Sequence, residues 1–408
     1  MTIDPTFGAN FPGTQFRGLR VAIVHYWLLG YAGGERVVSA LLDIFPQADL
    51  FAVFADEQTS ARFAPHRVTT SFLQKIPGSH RFHRQLLPLI PLALEQFDLR
   101  EYDLVISSES GPAKGVLTST QTLHINYCHS PMRYIWELYH EYINGKDMAG
   151  LTRKVFMGVS HYMRMWDLAS AARVDFFVAN SNNVAARIRK NYRRDAVVIH
   201  PPVNVAGGYV SDAVDDYYLA VGRLVDYKRM DLAVEACTRL GRPLRVVGDG
   251  PQYKRLRQSA GPSVQFLGEL TDIDLSEQYA HCRALLFPGK DDFGIVPVEA
   301  QAFGRPVLAF GRGGALETVK SVSLDDVFHP ELSTGILFDA QNSETLANNI
   351  LEFESIESEF SPEAIRCHAQ QFDVRNFQSR MKNFISACLE EHRELLEPVE
   401  QMTSLSAG

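Results

Sequence analysis

Two successive series of short, continuous apolar runs, each run followed by a longer helix-like stretch, constrain this chain more than any other feature. In the first series residues 20–25, 103–107, 122–127, 175–179 and 197–199 read as strands, with a Gly-rich turn and a helix over 35–45 after the first. The second series holds 218–221, 244–247, 264–267, 284–287, 306–309 and 335–338. Runs that are apolar at every position, not at every second one, suit parallel strands covered by helices on both faces. Repeated βα units imply a doubly wound sheet, and two series imply two such sheets. Between the series stand Pro201 and Pro202, which remove two backbone donors, fix φ and make a stiff hinge. The expected fold class is therefore α/β, with two Rossmann-like doubly wound domains at 1–202 and 203–385. An acidic helix over 386–396, packed back on the first domain or extending the second, leads to a tail over 402–408 expected to be disordered. Ligands of such sheets bind beyond the carboxyl ends of the strands, so two facing sheets put the expected site in the cleft between them.

Length and charge narrow the function. A chain of 408 residues exceeds one ordinary core, in keeping with two domains. Its formal net charge of −8 argues against a general nucleic-acid binder, which needs a basic face for phosphate. Cys128, Cys237, Cys282, Cys367 and Cys388 are scattered without metal or disulfide spacing and read as reduced thiols. Residues 1–18 are polar and Gly/Pro-rich, without the apolar core of a leader, and no apolar run is long enough to span a bilayer. The expected location is cytoplasmic, with peripheral contact at the inner face of a membrane left open.

Three loops carry candidate chemistry. Gly222-Arg-Leu-Val-Asp-Tyr-Lys228 follows a strand and precedes a helix over 232–240. A guanidinium at Arg223 and an ammonium at Lys228 can converge on one diphosphate, aided by the helix N-terminus. On spacing alone the same loop reads equally as a solvated basic turn. Pro288-Gly-Lys-Asp-Asp-Phe-Gly294 follows another strand and leads to a helix near Pro297. Asp291 in that loop and Glu299 near the helix start can accept hydrogen bonds from sugar and ribose hydroxyls, while amides around Phe293, Gly294 and Ile295 donate. The plain alternative is that Glu299 only complements the helix dipole. Gly311-Arg-Gly-Gly314 is a further Gly-rich turn, weak by itself. In the first half, Gly33 and Gly34 open a helix after the first strand, and His129 follows the strand at 122–127.

Taken in order, these segments resemble glycosyltransferase family 4, the retaining enzymes of GT-B architecture, over roughly 21–385. The features that carry the resemblance are the G-R-x-x-x-x-K loop, the E-x7-E pattern around F-G-x-x-x-x-E-A, and Tyr127-Cys-His-Ser-Pro131. The resemblance implies that Arg223 and Lys228 hold the donor diphosphate and Glu299 the ribose hydroxyls. It implies that Asp291, with the Phe293, Gly294 and Ile295 backbone, holds donor-sugar hydroxyls. Gly33 and Gly34 would lie near the donor phosphates and acceptor, and His129 beside the donor sugar as an orienting or charge-stabilising group. The segment from Trp166-Asp167 to Ser181 fits the same family chiefly as scaffold. One position departs from the pattern: Asp291 stands where the family has its first Glu, one methylene shorter.

The implied activity is transfer of a hexose, with retention and without metal or other cofactor, to a saccharide or polyprenyl-linked acceptor. The wording is closest to bacterial mannosyltransferases of polysaccharide assembly, so GDP-mannose is the expected donor, with UDP- and dTDP-sugars as alternatives. A nucleotide-sugar-binding pseudoenzyme and a GT-B epimerase or phosphorylase are the rival readings. A nicotinamide dehydrogenase is disfavoured, because neither first βα turn carries the glycine fingerprint. Finally, Arg62, Arg67, Lys75, Arg81 and Arg84 fall in a stretch with no acidic residue, beside the apolar run 86–94. Residues 62–94 are thus a candidate contact for an anionic membrane, or else a buried helix pair with a basic rim.

Overall fold

The computed structural model describes residue 16 and residues 18–144, 150–321 and 333–406. The chain divides into two compact units, Met1–His200 with Phe377–Gly408, and Pro201–Asn376. The first holds β1 (Val21–Leu28), β2 (Asp49–Ala55), β3 (Val68–Thr70), β4 (Leu104–Glu109), β5 (Leu123–Cys128), β6 (Phe176–Ala179) and β7 (Val197–Val198). They form one seven-stranded sheet in the order β3-β2-β1-β4-β5-β6-β7. The second holds β8 (Tyr218–Val221), β9 (Leu244–Val247), β10 (Val264–Gly268), β11 (Leu285–Phe287), β12 (Val307–Phe310) and β13 (Gly335–Phe338). Its six strands run in the order β10-β9-β8-β11-β12-β13. All pairings in both sheets are parallel. In each sheet the first strand has the next two on one side and the later ones on the other, which is the doubly wound order.

The continuous apolar runs have a direct cause. In β8, Tyr218 and Ala220 enter one buried cluster while Leu219 and Val221 enter another. Successive side chains point to opposite faces of a strand, so a sheet covered on both faces has no position for water-loving residues. In β4 the rule is met differently. Ser107, Ser108 and Glu109 are buried, and each is hydrogen-bonded through its side chain: Ser107 to His124, Ser108 to His129, and Glu109 to Lys114.

The first unit contains two strands that the sequence reading passed over, β2 and β3. The chain passes into the second unit at Pro201 and makes its first pairing there through Val203 N to Phe372 O (3.0 Å). Its way out, at Asp373, bridges to the same Val203, so the two crossings lie side by side. The last helix, Val374–Ser406, then joins the first unit from Phe377, earlier than residue 385. Its buried residues Phe377, Met381, Phe384, Ile385 and Cys388 recur at helical spacing and form a face. Phe377 meets Tyr127 (5.7 Å between ring centres), Phe384 meets Phe176 (6.3 Å), and Arg380 donates to Val198 O (2.8 Å). The acidic stretch 386–396 continues this helix on the first unit, where His392 reaches Gln121 O at 3.4 Å. The helix is described as far as Ser406, within the stretch expected as tail. Residues 407–408, and most of the 1–18 segment, lie outside the described residues.

Candidate active site

The order of the second sheet decides which loops meet. It reverses direction between β8 and β11, and the crevice at the carboxyl ends of such a pair is where doubly wound folds take ligands. The loop after β8 carries Arg223, a 3-10 turn at Asp226–Lys228, and then helix Met230–Leu240. The loop after β11 carries Asp291 and leads to helix Ile295–Ala302, two residues earlier than Pro297 suggested. Pro297 is nevertheless compatible, because the first four helical amides need no helical acceptor. Gly294 caps that helix at φ 89°, a left-handed conformation that side chains resist.

Lys228 and Asp291, 63 positions apart, are brought into contact: Lys228 Nζ donates to Asp291 Oδ2 at 2.5 Å. Burial acting alone would lower the lysine pKa. The Asp291 charge and hydrogen bond outweigh it and hold the ammonium above its usual value. The same ammonium lies 5.7 Å from the Phe287 ring centre, at the end of β11. Arg223 is exposed, and among the described residues its side chain has no hydrogen bond or ion pair. Glu299 accepts from the buried Tyr279 hydroxyl at 3.0 Å. Hence one free guanidinium, one anchored ammonium and two carboxylates belong to the loops and helix around this switch point.

Two neighbouring turns hold the crevice in shape. Gly314 N donates to Asp291 O (2.9 Å), and a Cβ on Gly314 would overlap the Phe293 carbonyl. The weak third motif therefore packs against the Asp291 loop, and its glycine is required by that approach. The turn after β9, unremarked in the sequence, grips the Arg223 loop through Gly222 N to Val247 O (3.0 Å) and Leu224 N to Asp249 O (2.9 Å). Tyr279 was also unremarked; nothing in the sequence ties it to Glu299.

In the first unit the structure gathers Gly34, His129 and a residue not singled out before, His25. A Cβ on Gly34 would stand 3.4 Å from His25 Cε1 and 3.8 Å from His129 Nε2. Gly33 opens helix Gly33–Ile44, and Ala32 N donates to Glu35 Oε2 (2.9 Å). His129 shares a hydrogen bond with Ser108 Oγ (2.9 Å). Burial, reinforced by the nearby His25, pushes its pKa down to about 3, so the ring is neutral near pH 7. A neutral ring can still donate or accept one hydrogen bond through its remaining nitrogen. Glu35 lies 3.7 Å from His25, beyond hydrogen-bond distance. Burial would raise its pKa, but His25 and the local amides outweigh this and keep it below the usual carboxylate value.

Beneath β4 lies a fully buried ion cluster. Lys114 Nζ donates to Glu109 Oε1 (3.1 Å) and to Asp167 Oδ1, and Asp167 Oδ2 accepts from Trp136 Nε1 (2.7 Å) and Tyr192 OH (2.9 Å). Burial pushes Glu109 up to about 7 despite the lysine. Because His129 N donates to Glu109 O (2.7 Å), the cluster fixes the strand end beside His129. Trp166 packs its indole on Gly115, where a Cβ would overlap it. The Trp166-Asp167 segment is thus framework. Among the described residues no three His, Cys, Asp or Glu side chains converge as a metal-ligating group.

Residues 210–370 match the family described as "Glycosyl transferases group 1". The chain is 29% identical over 190 residues to O-antigen chain mannosyltransferase C of Escherichia coli, covering 42% of this chain and 51% of that protein. It is 24% identical over 369 residues to alpha-1,3/1,6-mannosyltransferase ALG2 of Saccharomyces cerevisiae, covering 72% and 70%. It is 32% identical over 136 residues to the GDP-mannose-dependent alpha-mannosyltransferase of Corynebacterium glutamicum, covering 31% and 33%. The match spans about half the length of the first of these relatives. Among solved structures, Anabaena Alr3699/HepE in complex with UDP superposes with a TM-score of 0.65 at 18% identity, covering 90% of this chain and 100% of that one. The doubly wound sheets are thus those of the GT-B fold, and it is residues 210–370 that match the glycosyl transferases group 1 family.

Proposed function

We propose that this chain is a retaining hexosyltransferase that takes mannose from GDP-mannose and delivers it to a saccharide or polyprenyl-linked acceptor. The observation that carries the reading is the meeting of the Arg223/Lys228 loop with Asp291 at the switch point of the second sheet. Three relatives named as mannosyltransferases support mannose, one of them GDP-mannose-dependent; a fold neighbour in complex with UDP keeps UDP-sugars as the alternative donor.

As the bond from the sugar C1 to the diphosphate breaks, negative charge grows on the leaving phosphate. Arg223 and Lys228 stabilise that charge more in the transition state than in the ground state. The acceptor hydroxyl oxygen bonds to C1 on the face the diphosphate leaves, and its proton passes to a departing phosphate oxygen. No protein carboxylate need become covalently attached. Without donor, Asp291 holds the Lys228 ammonium in place; when diphosphate takes over the ammonium, Asp291 is released to accept from sugar hydroxyls. Glu299, positioned by Tyr279, accepts from the ribose, and amides at Phe293, Gly294 and Ile295 donate to the sugar. Gly33, Gly34 and the neutral His129 contribute from the first unit. The basic pair substitutes for a metal, and peripheral contact through residues 62–94 brings the enzyme to a lipid-linked acceptor.

The test is a thermal-shift and turnover panel of GDP-, UDP-, ADP- and dTDP-sugars with EDTA present. Stabilisation and transfer with GDP-mannose support the reading. Loss of transfer in EDTA overturns the metal-free mechanism, and donor binding without transfer or hydrolysis replaces the enzyme with a binding protein.

A further inference from the structure

We propose that the first unit carries a docking face for an anionic lipid surface, built on the outer side of helix Gly150–Ala171 and the segment beside it. This helix buries Ser160, Met163, Asp167 and Ser170 inward. On the opposite side it leaves Leu151 (76% exposed), Val155 (55%), Tyr162 and Met165 (55%) in solvent. With Gly158 between them these positions recur at intervals of four, three, four and three, so they form one stripe along the helix. Soluble proteins seldom leave a continuous apolar stripe of this kind uncovered.

A second segment adds to it. Leu87 packs with Met132, Ile135, Met163 and Trp166, and Trp166 Nε1 donates to Glu95 Oε1 at 2.9 Å, so the 87–95 stretch lies along the same helix. There Ile90, Ala93 and Leu94 turn inward, while Leu89 (43%) and Leu92 (51%) stay exposed. The apolar residues of 87–94 thus divide between the core and the surface, and the segment is not a fully buried helix pair.

Charge selects the occupant. The chain as a whole carries −8, yet Arg81 and Arg84 are exposed in the segment that leads into 87–95, and Arg153 and Lys154 are exposed near the start of the helix. No acidic residue lies between Glu57 and Glu95, and the sole acidic residue of the helix, Asp167, is buried. A second copy would bring like charges together, whereas an anionic bilayer accepts cations on its headgroups and the apolar stripe just beneath. No described helix is long and apolar enough to cross a membrane, so the face lies on the surface.

The test is co-sedimentation of the full chain with phosphatidylcholine vesicles with and without phosphatidylglycerol. The wild type binds the anionic vesicles, and binding falls as salt is raised. The double variant Leu151→Glu/Val155→Glu and the double variant Arg81→Glu/Arg84→Glu each lower partitioning at least about tenfold while keeping the wild-type Tm. Absence of wild-type binding above the neutral-vesicle level overturns the proposal, as does unchanged binding by the stripe variant. A wild-type dimer that Leu151→Glu/Val155→Glu converts to monomer, without lipid binding, assigns the face to a second copy and also overturns it. Each readout is independent of the donor site, so either reading can fail alone.

Discussion

Replacing Asp291 with alanine strands the Lys228 ammonium, and the structure sets the scale of the effect. Removing one member of a buried ion pair costs about 3–5 kcal/mol, because the other charge stays desolvated. Here the side chains retain 14% and 16% exposure, so water reaches the ammonium in part. The expected loss lies lower, about 2–3 kcal/mol. For a domain the size of the second unit this corresponds to a fall of about 4–12 °C in Tm. Saturating nucleoside diphosphate should recover part of the loss, since phosphate replaces the missing carboxylate at Lys228. Differential scanning calorimetry with and without nucleotide measures both quantities, and the nucleotide-induced shift should be larger in Asp291→Ala than in wild type. Asp291→Glu should keep the pair and change the donor-sugar preference or the rate. If Asp291→Ala unfolds within about 1 °C of wild type, with the same nucleotide response and kinetics, the pair is not what orders this site.

Arg223→Ala removes an exposed, unpaired side chain, so Tm should hold while turnover falls by at least about 10²–10³; equal loss of fold and activity would contradict this. Gly314→Ala should push the Asp291 loop aside, costing about 1–3 kcal/mol and weakening donor binding, and wild-type affinity would show the close approach to be dispensable. Stability should fall on acidification. Burial holds His124 and His129 at about 3 and His368 at about 4, against an ordinary 6.5, so the unfolded chain takes up protons that the folded chain refuses. Their contribution is complete above pH 6.5 and is lost on going down towards pH 3. Glu109, pushed up to about 7 by burial, acts with the opposite sign, losing its contribution as pH rises from 4.5 through 7. Three histidines outweigh one carboxyl, so denaturant unfolding that is flat between pH 6.5 and 4.5 would contradict the burial argument.

The parts of the fold legible in the sequence were those with a local signature. The second unit's strands announced themselves because both faces of its sheet are buried. In the first unit, β3 was missed because its three residues, Val-Thr-Thr, none of them buried, carry no apolar run. β2 is a continuous apolar run with one β-branched residue, and was passed over in a long connection. The motif positions could be read one by one, but not their partnerships. Lys228 meets Asp291 only because the sheet order sets β8 beside β11, and Tyr279 meets Glu299 only through packing of two helices. The buried Lys114 is likewise framed by residues 5 and 53 positions away. Helix Gly150–Ala171 hid its outer stripe because its apolar residues occupy both sides, and only burial separates core from surface.

The central claim is that Arg223 and Lys228 form the donor-diphosphate site. Isothermal titration of GDP, with UDP as comparison, into wild type, Arg223→Ala and Lys228→Met tests it most directly. The account predicts measurable nucleotide binding by wild type and at least about tenfold weaker binding in each variant, since each loses a charge-assisted phosphate contact. Nucleotide binding of wild-type strength in both variants would contradict it.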